Sequence, residues 1–184
     1  MSHAIELEPA AGPAQPRHPA LAGVARLLER LNRLLMALSM IAMVVTAIVL
    51  TYAVVVRYFF KVPTDWQDDA TVFMLVGAIF FSAAYVQSFR GHIGIEAIAS
   101  VLPPAVNAVR MFVVDLASFL FCAFFSWKSW TLLHEAWTDG QTTSSTLALP
   151  LWIPYSMMAL GMSLLTAQIL VQLLAHVSTK REAA

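Results

Sequence analysis

Residues 57–96 read RYFFKVPTDWQDDATVFMLVGAIFFSAAYVQSFRGHIGIE. Charged side chains lie at both ends of this stretch, and the run between them, from Ala70 to Ser88, carries none. At about 1.5 Å per residue, a helix of this length approaches the roughly 30 Å thickness of a bilayer's hydrocarbon core. Charge beside lipid is costly unless it reaches water, a headgroup or a partner. The stretch therefore predicts one membrane-spanning helix, and its charged ends are the first place to look for function.

The composition of the whole chain indicates the same environment. The 184 residues are 59% hydrophobic and 12% charged. Soluble domains carry about 25% charged residues, so half that value is typical of an integral membrane protein surrounded by the lipid bilayer. The formal net charge is zero, which gives no reason to expect a nucleic acid as a partner.

Four apolar segments are long enough to cross a membrane. We therefore predict an all-α integral membrane protein with four transmembrane helices and short interfacial amphipathic helices. The membrane domain is expected to cover residues 21–176, with spans at about 34–56, 70–88, 106–133 and 150–174.

The segments that flank the spans have their own patterns. Residues 1–20 are rich in proline and have no apolar core, so we expect a disordered tail rather than a cleaved signal peptide. Leu21–Arg33 carries arginines and leucines at helical spacing, which indicates an amphipathic lead-in helix at the headgroups. Ile93–Leu102 is apolar but too short to span, so we expect it to lie at the interface. Residues 177–184 are expected to form a cytoplasmic tail.

The basic residues near the span ends predict the orientation of the chain. Most of them precede the first span, follow the second span or end the chain: Arg26, Arg30, Arg33, Arg90, Arg110, Lys180 and Arg181. The first loop also has Arg57 and Lys61, whereas the loop at about 133–149 has acidic residues and no basic one. We therefore predict that both termini are cytoplasmic.

Sites for catalysis or cofactors are not indicated by the sequence. The five histidines do not fall at helical ligand spacing, and the single cysteine, Cys122, cannot form an internal disulfide. The chain has no nucleophile elbow, zinc motif or glycine-rich phosphate loop. Asp68 and Asp69 have no companion residues for acid–base chemistry. We therefore predict no catalytic residue, no cofactor and no metal site.

The third span leaves other functions open because it contains ionisable residues. Arg110 and Lys128 are expected to snorkel from its opposite ends. Asp115 is a candidate functional acid of the kind that a proton-coupled exporter needs, or else it pairs with Arg110 or reaches interfacial water. A stand-alone four-helix exporter or channel-like protein is one alternative, and a membrane enzyme or electron-transfer subunit is another.

The second span carries a run of small residues, which allows close contact with another helix. These residues are Gly77, Ala78, Ser82, Ala83 and Ala84.

Three motifs, taken in order, resemble a known family. Arg57-Tyr58 precedes Trp66-x-Asp68-Asp69, an apolar span follows, and then comes Gly91-His92-Ile93-x-Ile95-Glu96. A further segment, residues 145–155, reads STLALPLWIPY before the last span. This pattern resembles the small permease subunit of TRAP (tripartite ATP-independent periplasmic) transporters, the DctQ-like family. The family's first motif ends in two glutamates and its second in aspartate, so the charges are kept while the side-chain lengths differ.

The resemblance implies a function that the residues alone do not show. It implies a small, non-catalytic subunit in the bacterial inner membrane that binds the large TRAP permease subunit. A periplasmic substrate-binding protein would deliver an organic acid, often a carboxylate, to the assembled complex. Uptake would be driven by an ion gradient without ATP.

We form a specific hypothesis for the charged ends of the second span. Arg57 and Asp68 or Asp69 bracket the first loop and are expected to pair with each other or with the large subunit. Trp66 is expected to anchor that loop at the interface. Subunit docking and orientation at the other end of the span are assigned to Arg90, His92 and Glu96.

Overall fold

The computed structural model describes residues 19–89, 104–145 and 147–182. Four helices account for most of these residues: α1 (Pro19–Phe60), α2 (Asp65–Ser88), α3 (Pro104–Thr138) and α4 (Trp152–Glu182). All four are long and apolar enough to cross a membrane. The predicted fold class, an all-α membrane protein with four spanning helices, is confirmed.

The helices extend beyond the predicted spans, because backbone hydrogen bonding does not stop where the apolar run stops. The lead-in at Leu21–Arg33 is helical and continues into the first span without a break. On its exposed side Arg33 forms a 3.1 Å ion pair with Glu29. The short segment Ile93–Leu102 lies outside the described residues, as do residues 1–18 of the N-terminal tail.

The four helices lie side by side in the order α1, α2, α4, α3. α1 and α2 form one antiparallel hairpin and α3 and α4 form another, and the two hairpins meet through α2 and α4. These two middle helices run in the same direction, because Gly77 lies against Met157 and Gln87 contacts Gln172. α1 makes only a small additional contact with α4. The result is an open row in which two helices are inner and two are outer.

The buried fraction of each helix follows its position in the row. About a third of the most apolar stretch of α4 and 28% of that of α2 are buried, against 11% for each of the outer helices. The large side chains of α1 point outward, and Leu34, Ile41 and Ile48 are each more than half exposed. Outward-facing apolar side chains are what a lipid environment favours, since lipid chains are as apolar as leucine.

Small and polar residues form the inward faces of the outer helices. On α1 they recur every seven residues as Asn32, Ser39, Thr46 and Ala53, all 5% exposed or less. On α3, Cys122, Ser129 and Ala136 recur with the same spacing. A seven-residue repeat keeps one seam of a helix against its neighbour. In this chain the seam is narrow and allows close packing, as expected between helices in a membrane.

The contact between the middle helices depends on one glycine. A Cβ atom placed on Gly161 of α4 would lie 2.6 Å from the Cβ of Phe80 and 2.7 Å from its carbonyl oxygen. Only a residue without a side chain lets the α4 backbone come this close to α2. Gly77, Ala78 and Ala84 of the small-residue run on α2 are also buried.

Candidate subunit-docking site

The first loop turns the chain between α1 and α2 over four residues. α1 ends at Phe60, and Lys61 adopts a left-handed backbone conformation with φ of 52°. Thr64 then precedes α2, and its carbonyl oxygen accepts the backbone amides of Gln67 and Asp68. The Thr64 side chain is 2% exposed and does not cap the helix. Its hydroxyl is used by Arg57 instead.

Arg57 closes the α1–α2 hairpin from the last turn of α1. Its Nε donates to Thr64 Oγ1 at 3.1 Å, and its Nη2 donates to the same oxygen. Nη2 also lies 2.8 Å from Asp68 Oδ2. One guanidinium group therefore joins the end of α1, the loop and the first turn of α2.

Asp69 has different partners from Asp68. Its Oδ2 accepts hydrogen bonds from Thr143 Oγ1 at 2.8 Å and from Ser145 Oγ. Neighbouring residues on a helix point about 100° apart, so the two carboxylates cannot both face Arg57. The hypothesis treated Asp68 and Asp69 as alternatives for the same role, but the structure gives each its own role. Asp68 contacts α1, and Asp69 contacts the loop before α4.

The described residues of the loop between α3 and α4, 139–145 and 147–151, form a compact unit. Thr143 and Leu149 are joined by a 2.8 Å backbone hydrogen bond, and the Leu149 amide donates to Thr143 Oγ1 at 3.0 Å. The chain reverses at Gly140 and Ala148, whose φ angles of 60° and 47° are left-handed. Thr143 therefore both shapes the loop and connects it to Asp69.

Arg57, Thr64, Asp68, Asp69, Thr143 and Ser145 form what we call the charged clasp. The clasp brings together α1, α2 and both loops at one end of the molecule. The Arg57 and Asp68 side chains are 56% and 52% exposed, so their ion pair contributes little to stability in water. Its main effect is geometric, because it fixes the positions of charged groups at the surface.

Aromatic side chains surround the clasp on its outer side. Trp66 is 51% exposed, and Tyr58, Phe59 and Phe60 at the end of α1 are all more than 70% exposed. Exposed aromatic rings at the end of a membrane helix are typical of the headgroup region. This placement is compatible with the anchoring role expected for Trp66.

The other proposed docking residues, Arg90, His92 and Glu96, lie outside the described residues. At that end of the row the structure shows a different feature, which the sequence analysis missed. Asn32 Nδ2 donates to Gln168 Oε1 at 3.1 Å and so connects α1 to α4.

Gln87 and Gln172 extend these contacts to α2. Gln87 Nε2 donates to Gln172 Oε1 at 3.1 Å, and Gln172 Nε2 donates to the Gln87 carbonyl at 2.9 Å. We call these four side chains, including Asn32 and Gln168, the amide clasp. Asn32 and Gln172 are almost fully buried. The available signal was the presence of Gln87, Gln168 and Gln172 within otherwise apolar runs.

Within the described ranges, no three His, Cys, Asp or Glu side chains come together as metal ligands would. The site therefore consists of hydrogen bonds and one ion pair among the residues already named.

Comparison with known proteins identifies the family. Residues 46–179 match the family described as tripartite ATP-independent periplasmic transporters, DctQ component. The chain belongs to this family. The resemblance inferred from the three motifs is therefore confirmed, and the four apolar helices make this DctQ-family chain a multi-pass protein of the inner membrane.

One similar protein is the C4-dicarboxylate TRAP transporter small permease protein DctQ of Vibrio cholerae serotype O1. The identity is 27% over 143 residues, which cover 66% of this chain and 62% of the relative. The chain thus spans less than two thirds of that relative's length. No solved structure matches. The DctQ-family range contains the whole charged clasp, whereas Asn32 of the amide clasp lies before it.

Proposed function

We propose that this chain is the small, non-catalytic membrane subunit of a TRAP-type secondary transporter. It supports the large permease subunit in ion-gradient-driven uptake of an organic acid, which a periplasmic binding protein delivers. The family match supports this assignment. A C4-dicarboxylate, the substrate in the name of the Vibrio relative, is the type of organic acid to test first.

The observation that carries the proposal is the open row of helices. In a self-contained channel or carrier, helices would enclose a path lined by polar groups. Here the outer helices α1 and α3 pack mainly on one neighbour each and present large apolar faces outward. Such faces suit a subunit that lies against lipid on one side and a larger membrane protein on another.

The charged clasp gives this subunit a rigid end. Arg57 fixes α1 to α2, and Asp69 fixes α2 to the 139–151 loop. The two loops are therefore held as one surface, with Trp66 on its outer side. We assign Arg57, Trp66, Asp68 and Asp69 to orienting this surface toward the large subunit.

The predicted orientation places this surface on the periplasmic side and both termini in the cytoplasm. Both loops lie on the same side of the membrane, as the contact between Asp69 and Thr143 requires. At the opposite end, the proposal assigns orientation at the cytoplasmic headgroups to Arg90, His92 and Glu96. The binding protein would meet the small subunit only through the assembled complex.

Charge reversal at the clasp tests the proposal. The tagged chain is expressed with the large subunit and the binding protein of the same transporter, and both co-purification and organic-acid uptake are measured. We expect Asp69→Lys to lower both strongly, because a lysine cannot accept the Thr143 and Ser145 hydrogen bonds. Asp139→Lys is the matched control, since Asp139 is exposed and lies outside the clasp.

Two results would contradict the proposal. Unchanged assembly and uptake with Asp69→Lys would remove the docking role of the clasp. Ion-driven flux in vesicles that contain this chain alone would instead indicate the stand-alone exporter or channel.

A further inference from the structure

Lys128 is a cation placed deep within a membrane-crossing helix. The part of α3 that is apolar enough to cross a membrane is Phe112–Thr138, and Lys128 lies ten residues before its end. At about 1.5 Å per residue, the Lys128 backbone is roughly 15 Å from the end of α3. Lys128 was expected to snorkel from a span ending near residue 133. α3 itself continues to Thr138, five residues beyond the end of that expected span.

Lys128 points away from the rest of the molecule. On the α4 side of α3, Trp130 Nε1 donates to Ser163 Oγ, and Ser126 Oγ lies 3.0 Å from the same oxygen. Each step along a helix turns by about 100°, so Lys128 lies about 200° from both Ser126 and Trp130. α4 is the main neighbour of α3, and Lys128 is exposed on the opposite side.

The contacts of the Lys128 ammonium group do not neutralise its charge. Among the residues that the structure describes, it has one contact, with the ring face of Trp127 at 5.3 Å from the centroid. Trp127 packs in turn on Phe124, with ring centroids 6.4 Å apart. Phe121 and Phe124 are both more than half exposed on the same face as Lys128. The outward face of α3 is therefore an aromatic surface with a cation in it.

The depth of Lys128 indicates which anion would satisfy it. Lipid phosphates lie at the headgroups, whereas a carboxylate on a neighbouring transmembrane helix can lie at the same depth as Lys128. A second copy of this chain, inserted in the same orientation, does not provide that acid within the described part of α3. Glu135 is about two turns nearer the helix end, and Asp115 is more than three turns farther from it.

We propose that the outward face of α3 formed by Phe121, Phe124 and Lys128 docks on a transmembrane helix of the large permease subunit. A carboxylate on that helix pairs with Lys128. This inference rests on the proposed function, because the partner is the large subunit of the same transporter. It names a docking face inside the membrane, separate from the charged clasp at the loops.

Charge neutralisation in the assembled transporter tests the pair. The tagged chain is co-expressed with the large subunit, and the amount of captured large subunit is compared for wild type, Lys128→Met and Lys128→Arg. Removing one member of a close charge pair weakens binding strongly, so we expect Lys128→Met to lower capture at least about tenfold. Lys128→Arg keeps the charge and should stay close to wild type. Methionine is more apolar than lysine, so a failure to insert cannot account for the loss.

Site-specific photo-cross-linking identifies what covers the face. A cross-linker at Phe124 should capture the large subunit, and one at Ile48 on the outward face of α1 should capture it much less. Lys128→Glu should be rescued when one acidic residue in a span of the large subunit is changed to lysine.

Three outcomes would overturn the inference. They are full capture of the large subunit with Lys128→Met, cross-links from Phe124 to phospholipid alone, and cross-links to the large subunit from Ile48 but not from Phe124. Absence of the large subunit from the wild-type purification would instead contradict the proposed function itself. The two failures are therefore distinguishable.

Discussion

The two ends of the helix row are held together by different chemistry. At the loop end, Arg57, Asp68 and Asp69 use charge, and the ion pair is about half exposed. At the other end lies a cluster of neutral carboxamides, of which Asn32 and Gln172 are almost fully buried. A carboxamide satisfies a buried position without carrying charge, whereas a charged group is tolerated where water or headgroups reach it.

This difference separates what holds the chain together from what it presents to a partner. The charged clasp is prominent in the sequence, but exposed ion pairs contribute little to stability. The amide clasp is inconspicuous in the sequence, but each of its hydrogen bonds replaces an unsatisfied polar group in an apolar environment. We therefore expect substitutions at the amide end to affect folding and those at the charged end to affect assembly.

The largest effect is expected from a charge placed in the amide clasp. Gln172→Glu sets a carboxylate against the Gln87 carbonyl oxygen, which now accepts a hydrogen bond from Gln172. A buried charge without an opposite charge beside it costs about 3 kcal/mol, so thermal unfolding of the detergent-purified chain should occur at clearly lower temperature. Gln172→Leu is the control and should cost less. Equal stability of the Glu and Leu variants would show that water reaches this end.

The second-largest loss of stability is expected at the contact that joins the two hairpins. Gly161→Ala places a methyl group against the backbone of Phe80, so α2 and α4 must move apart. Overpacking of this kind costs about 2 kcal/mol. Gly23→Ala is the control, because nothing lies within 4 Å of a Cβ atom at Gly23. If the two alanine variants unfold at the same temperature, the close approach of α2 and α4 is not needed for stability.

A smaller effect is expected where the charged clasp holds the second loop. Asp69→Asn weakens the hydrogen bonds that Thr143 and Ser145 donate, at a cost of about 1 kcal/mol. The effect on the order of the 139–151 loop should exceed the effect on overall stability. Limited proteolysis within residues 139–151 should therefore become faster. Asp139→Asn serves as the comparison. Unchanged cleavage in the Asp69 variant would mean that the loop is held by its own hydrogen bonds.

The smallest effect is expected at the exposed ion pair. Asp68→Asn should change stability by less than about 1 kcal/mol, because both side chains are about half exposed. The difference from wild type should shrink further in high salt, since surface charges are screened. A large, salt-independent loss of stability would show that the charged end stabilises the fold, contrary to the difference between the two ends described above.

The sequence predicted the parts of the fold that depend on local pattern. Long apolar runs identified four spanning helices, and Gly77, Ala78 and Ala84 indicated a close helix contact on α2. What it could not predict was which distant segments meet. Asp69 and Thr143 are 74 positions apart, and no periodicity relates them.

The roles within the candidate site were predicted less completely than the fold. Asp68 and Asp69 were interpreted as equivalent acids, because a sequence does not show which carboxylate a loop will reach. The inward face of α1 could have been recognised from polar and small residues at seven-residue intervals, beginning with Asn32 and Ser39. Apolar residues on the other faces of the membrane-spanning part of α1 weaken this repeat in an average over hydrophobicity.

The side-by-side order of the helices also determines when each contact can form during synthesis of the chain. The first hairpin is complete once α2 has been synthesised. The contacts of Asn32 and Gln87 with α4 form only after about eighty further residues have been added, which takes roughly 4–16 s at about 5–20 residues per second. During that interval, two carboxamides of the nascent hairpin lie in the membrane without their α4 partners. We therefore expect the first hairpin alone to be less stable than the complete row of helices.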